Sequence, residues 1–116
     1  MQLIMLKSKI HQAVVTDSQL EYEGSLTIDR LLMDAAGILD HEKIMVADLE
    51  NGERFETYAI PAEPGSGTIC LNGATAHRGK IGDRIIIFTF CVMSPDEARR
   101  HKPTIIHPDR NNRLRG

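Results

Sequence analysis

The chain has 116 residues, which suits one compact domain, and about four in ten are apolar, so a core can form. A formal net charge of −2 at pH 7 excludes the basic footprint of a general nucleic-acid binder, and no apolar run approaches the length of a membrane span. Aromatics are scarce and Trp is absent, so Val, Ile, Leu and Ala must fill a small interior, and domains of this size often gain stability by associating.

From the N-terminus, Leu3–Leu6 and Gln12–Thr16 have the apolar and β-branched content of two short strands. Lys7 and Lys9 are followed by alternating residues and not by the apolar stretch of a signal peptide, so the expected compartment is the cytoplasm. Asp29 is placed to cap a helix over Arg30–Ala36, with Gly37 as its left-handed stop. Lys43–Glu50 reads as a strand that runs into the hairpin signal Asn51-Gly52. The return strand Glu53–Ile60 alternates, with Arg54, Glu56 and Tyr58 on one face and Phe55, Thr57 and Ala59 on the other. Pro61 and Pro64-Gly65-Ser66-Gly67 form a loop, Thr68–Leu71 is a short strand, and Asn72-Gly73 is a turn. Arg84–Met93 is the most apolar run and predicts a buried strand. Ser94-Pro95-Asp96-Glu97 carries a capping box and opens a helix that ends by Lys102, ahead of Pro103. The last seven residues from Arg110 read as a solvated basic tail. Many short strands with two or three short helices predict a mainly β single domain closed into a barrel, because closure removes sheet edges.

No conventional site is present: GxSxG, HExxH, a Walker loop and CxxC are all missing. His11, His41, His77, His101 and His107 lack metal-ligand spacing, so no metal is expected. Cys70 and Cys91 lie in apolar runs and read as buried thiols in a reducing compartment. Taken singly, Gly24-Ser25 is a turn, Arg54 a surface strand arginine, Tyr58 a core or rim residue, Lys9 a solvated lysine and His11 structural.

Together these residues stand in linked blocks: Lys9-Ile10-His11, Tyr22-Glu23-Gly24-Ser25, Asp34-Ala35-Ala36-Gly37-Ile38, Asn51-Gly52, Arg54, Thr57-Tyr58-Ala59-Ile60, Asn72-Gly73-Ala74, Ala76-His77 and Gly82-Asp83. In that combination the chain resembles the pyruvoyl-dependent aspartate α-decarboxylases, from its N-terminus to about Glu97. The resemblance implies a double-psi β-barrel, a homotetramer with active sites between subunits, and a zymogen. Self-cleavage between Gly24 and Ser25 would leave a β chain of residues 1–24 and an α chain of residues 25–116 headed by a covalent pyruvoyl group made from Ser25. That ketone would take the substrate amine as a Schiff base and serve as the electron sink that pyridoxal phosphate provides elsewhere, so no PLP is needed. L-Aspartate would lose CO2 to give β-alanine for pantothenate and coenzyme A synthesis.

The same resemblance implies the roles. Gly24 lacks a Cβ and admits the nucleophile. Thr57 stabilises the oxyanion of the cut and contacts substrate. Arg54 binds a substrate carboxylate through its planar fork, and Lys9 assists. Tyr58 donates the proton to the carbanion. Asn72, Gly73, Ala74 and Thr75 form the substrate-binding turn, where backbone N–H groups meet an oxyanion. His11 and Tyr22 support the group. Thr75 departs from the Ala expected at its position, and the sequence after Glu97 diverges. An accessory maturation factor is a conceivable partner; nucleic acid and membrane are not. Two other readings stay open: a non-catalytic barrel for binding or oligomerisation that keeps Ser25 intact, and a pyruvoyl decarboxylase for another acidic amino acid. The latter differs from the first by one methylene of substrate, worth about 1–3 kcal/mol in a pocket.

Overall fold

A computed structural model describes residues 1–115. The elements in chain order are β1 (Leu3–Val14), β2 (Asp17–Gln19), β3 (Ser25–Asp29), α1 (Arg30–Ala36), β4 (Lys43–Asp48), β5 (Arg54–Ala62), β6 (Ile69–Asn72), a 3₁₀ turn (Gly73–His77), β7 (Arg84–Met93), α2 (Pro95–Arg100) and β8 (Thr104–Ile106). The strands form an eight-stranded sheet in the order β2-β6-β3-β5-β4-β7-β1-β8. It is the mainly β architecture expected, a small β-barrel with two short α-helices.

β3 lies between β5, which it pairs in parallel, and β6, which it pairs antiparallel. Both neighbours satisfy its backbone, and Leu26 and Ile28 are fully buried. Each such side chain contributes roughly 1.5–3 kcal/mol of transfer free energy. Ile10, Ile44, Ile69, Leu71, Ile85 and Ile87 meet them in one core. Truncating Leu26 to Ala would cost about 2–5 kcal/mol and loosen the strand that carries position 25.

Both helices start and stop where their sequence signals lie. The Asp29 carboxylate accepts from Leu31 N, and Gly37 closes α1 at φ 72°. Ser94 and Glu97 form the reciprocal capping box of α2. Strand bounds moved more. The two N-terminal strands are one, because bulges at Leu6/Ser8 and His11/Ala13 let β1 bend and continue beside β7. Gln12 takes φ 69° at the second bulge. Pro61 sits inside β5 and not in a loop: β4 pairs β5 only from Arg54 to Tyr58, so beyond that one flank has no ladder to interrupt. The turn expected at Asn72-Gly73 opens the 3₁₀ turn.

The solvated tail is also corrected. β8 joins β1 in parallel, and Asn112 is buried. Its Oδ1 accepts from Val14 N at 2.7 Å, while its Nδ2 donates to the carbonyls of Val14 and Gly67, both at 2.8 Å. One amide thus supplies what a paired strand would supply. No pattern in the last residues marks it.

Candidate active site

Ser25 opens β3 and is fully buried, whereas Gly24 before it is exposed. The antiparallel register sets Ser25 opposite Asn72 and Thr27 opposite Cys70. Residues two apart share a face, so these four side chains meet. Asn72 Nδ2 donates to Ser25 Oγ at 3.0 Å and to Thr27 Oγ1 at 2.6 Å. The Cys70 thiol donates to Asn72 Oδ1 at 3.2 Å. Burial, and then the nearby Asp17 charge, push the Cys70 thiol up, which keeps it a donor. Asn72 has no freedom to flip, since its amide nitrogen and oxygen are each engaged. Ser25 Oγ in turn donates to the Glu23 carbonyl at 3.4 Å.

Thr75 completes the cluster from the 3₁₀ turn. Its hydroxyl lies 2.7 Å from the Asn72 carbonyl and 3.2 Å from the Ser25 carbonyl. Gly73 is the tight position. A Cβ there would lie 2.6 Å from the Tyr22 carbonyl oxygen and 2.8 Å from both Gly24 Cα and Gly24 N, and its φ is +63°. A Cβ on Gly24 would meet nothing within 4 Å. The 3₁₀ turn packs against the loop before Ser25, which makes Gly73 a close approach in addition to the one expected of Gly24. Tyr22 contributes its backbone there, while its side chain is exposed. Ala74 lies exposed in the same turn.

β5 flanks β3 on its other side. Leu26 pairs Ala59, so counting back one residue puts Tyr58 level with Ser25, the first residue of β3, with Thr57 next before it on β5. Thr57 shares its face with Ala59 and with Phe55, which packs on the core. Tyr58 is half-buried, with its ring 6.2 Å from that of His41.

Lys9 and Arg54 lie elsewhere. Lys9 Nζ and Arg54 Cζ stand over the ring of Phe88, 5.7 and 5.8 Å from its centroid. Lys9 pairs Phe88 across β1 and β7, and Phe88 pairs Met45, whose sulfur lies 3.9 Å from Arg54 Nη1. Lys7, Arg30, Lys43, Arg78 and Arg84 each hold a carboxylate; among the described residues Lys9 and Arg54 do not. His11, two residues past Lys9, packs edge-on to His107 at 5.4 Å. Burial, and then the charges of Lys9 and His107, hold its imidazole below the usual range. Arg54 is four residues before Tyr58, about 13 Å along the strand. Within one chain the structure therefore gathers Ser25, Asn72, Gly73, Thr75 and the Tyr22 backbone, gathers Lys9 and Arg54 around Phe88, and sets His11 beside His107.

Thr27, Cys70 and Phe88 were missed by sequence reading. Period-two alternation around Ser25 and Asn72 points to Thr27 and Cys70 once the two strands are known to pair, but that pairing joins segments more than forty residues apart. Outside both clusters, Asp48 and Asp83 face each other across Gly79, where a Cβ would lie 2.6 Å from Asp48 Oδ2 and 3.4 Å from Asp83 Oδ2. Burial, and then a hydrogen bond with Asp83, push the Asp48 carboxyl up to about 6. Among the described residues no group of side chains is arranged to hold a metal ion.

The aspartate decarboxylase family profile matches residues 1–115. An aspartate 1-decarboxylase of Caldicellulosiruptor saccharolyticus is 54% identical over 110 residues, 95% of this chain and 86% of that one. Its counterpart in Clostridium kluyveri is 54% identical over 114 residues, 98% of this chain and 90% of that one. That of Thermoanaerobacter pseudethanolicus is 53% identical over 113 residues, 97% of each chain.

Proposed function

The chain belongs to the aspartate decarboxylase family, and from that premise we propose that it is a self-processing carboxy-lyase that converts L-aspartate to β-alanine and CO2, feeding pantothenate and coenzyme A synthesis in the cytoplasm. The observation that carries the reading is the setting of Ser25: buried, held by Asn72 at 3.0 Å, and preceded by an exposed Gly24 seated against Gly73.

Maturation needs only this chain's atoms and water. Ser25 Oγ attacks the Gly24 carbonyl carbon; the C–Oγ bond forms, the C–N bond breaks, and the hydroxyl proton ends on the Ser25 nitrogen. Asn72 orients Oγ, and Thr57 on the neighbouring strand β5 stabilises the oxyanion. Loss of the Ser25 α-proton then expels Oγ with the Gly24 carboxylate, giving chains 1–24 and 25–116. Water replaces the amine of the dehydroalanine left at position 25 and releases ammonia.

The pyruvoyl group so formed supplies an electrophilic carbonyl for a substrate amine and a sink for the electrons left by CO2. The surroundings of position 25 fit it: Thr75 faces the carbonyl that remains, Asn72 faces the side-chain position, and Gly73 leaves the cut chain room. Arg54, with Lys9, binds the substrate carboxylate, and Tyr58 holds the proton to be delivered at its Oη. The cations over Phe88 hold no carboxylate, and Arg54 lies about 13 Å along β5 from Tyr58, which supports a site completed by a neighbouring subunit of a homotetramer. The exposed apolar side chains of Ile4, Phe90 and Val92 on β1 and β7 support the same reading.

Intact-mass measurement with an assay for β-alanine tests the proposal. Two fragments that meet at Gly24 and Ser25, and β-alanine from aspartate in preference to other acidic amino acids, are expected. A chain that stays whole after prolonged warming, with and without an extract able to supply a maturation factor, would favour a non-catalytic barrel.

A further inference from the structure

The Thr75 hydroxyl has one hydrogen and two carbonyls within reach. In the resting precursor it lies closer to the Asn72 carbonyl, at 2.7 Å, than to the Ser25 carbonyl, at 3.2 Å. Thr75 is 7% exposed and Ser25 not at all, so water does not screen the contact.

The two chemical steps of maturation use the Ser25 carbonyl differently. The acyl shift takes place at the Gly24 carbonyl and leaves the Ser25 carbonyl a spectator. The elimination does not. When the Ser25 α-proton passes to a water molecule admitted beside the exposed Gly24 once the acyl shift has freed that peptide bond, the C–H electron pair moves toward the Ser25 carbonyl, and negative charge develops on that oxygen. The pair then forms the Cα=Cβ bond as Cβ–Oγ breaks, and the Gly24 carboxylate leaves with both electrons of that bond.

We propose that Thr75 is the oxyanion donor of the elimination step, its hydroxyl turning from the Asn72 carbonyl to the Ser25 carbonyl as charge builds there. The inference rests on the self-processing reading above and assigns Thr75 a role in cutting rather than in substrate binding. A hydrogen bond to a charged acceptor is roughly twice as strong as one to a neutral carbonyl. The contact is therefore stronger in the transition state than in the ground state, which is the condition for acceleration. Gly or Ala at this position would leave the same backbone and no such hydrogen.

The ester formed by the acyl shift is the diagnostic species, since loss of the donor makes it accumulate. Freshly expressed wild type, Thr75→Val, Thr75→Ala and Thr75→Ser are warmed, sampled over time with and without hydroxylamine, and read by intact mass. Hydroxylamine releases residues 1–24 from the ester as a Gly24 hydroxamate, whereas completed elimination releases them as a carboxylate. Thr75→Val and Thr75→Ala should slow carboxylate formation by about 10- to 100-fold, below the loss typical of a dedicated oxyanion donor because the hydroxyl is shared. Hydroxamate should rise in step, and Thr75→Ser should restore the wild-type pattern. Thr75→Ala only removes volume, so it keeps the test open if Thr75→Val fails to fold. Maturation at the wild-type rate in either variant would overturn the inference. So would a folded variant that stays whole with no hydroxylamine-labile bond, because the hydroxyl would then serve the shift through Asn72. A wild-type chain that is never cut would overturn the self-processing reading itself.

Discussion

The Ser25 cluster and the Phe88 platform solve opposite problems with opposite chemistry. Around Ser25 the side chains are buried, uncharged and bonded to each other: Asn72 to Ser25 and Thr27, Cys70 to Asn72, Thr75 to two carbonyls. Around Phe88 they are charged, in reach of solvent and without ion-pair partners. The first arrangement directs its hydrogen bonds at atoms of the chain, which suits a reaction of the chain on itself. The second leaves two cations free to meet an anion. Tyr58 connects the two, level with Ser25 by register yet on the strand face that carries Arg54.

The contrast breaks most completely with Ser25→Ala, which should leave the chain whole by mass and without β-alanine formation. Tyr58→Phe should be cut normally but decarboxylate about 10²-fold more slowly or worse, the range for a positioned general acid. Full turnover in that variant would remove the proton-donor assignment. Gly73→Ala drives a Cβ into the Tyr22 carbonyl and the Gly24 backbone. Cutting should slow by about 10²-fold, as expected when a reacting group moves by an ångström. Time-resolved mass spectra measure this, and wild-type rates would mean that the loop is not confined.

Arg54→Ala sharpens the comparison from the other side. It should mature at the wild-type rate and lose about 10- to 100-fold in kcat/KM, the worth of a charged hydrogen bond of roughly 1.5–3 kcal/mol. Impaired cutting would show that the two regions are not separate. The smallest effect belongs to Asp48, which lies in neither. Its carboxyl is raised in the folded chain, so its contribution to stability is present at low pH and lost as pH climbs through about 6. Wild-type thermal midpoints should therefore decline more between pH 5 and pH 7.5 than those of Asp48→Asn, with cutting unaffected. Parallel curves would deny Asp48 that role.

Much of the fold was legible because its signals are local. The Asp29 cap, the Gly37 stop and the Ser94–Glu97 box each act within a few residues and appear where they were expected, whereas the apolar run Arg84–Met93 is a strand but not the buried one expected: only Ile85, Ile87 and Thr89 face the interior, and Phe90 and Val92 are exposed. The failures were non-local. β1 continues through two bulges because β7 lies alongside, Pro61 is accepted because β4 has ended, and Asn112 is buried because Val14 and Gly67 offer their backbone groups.

For the site, sequence by itself determined the residue types: a Gly-Ser pair, an Asn-Gly turn, and an arginine and a tyrosine on one strand face. These follow from identity and from period-two alternation. Only the tertiary structure decided that the Tyr22–Gly24 backbone closes in on Gly73, that Thr27 and Cys70 hold Asn72, and that Lys9 and Arg54 meet over Phe88. The reason is the register. β3 meets β6 only when segments more than forty residues apart pair, and no local preference specifies which rung faces which.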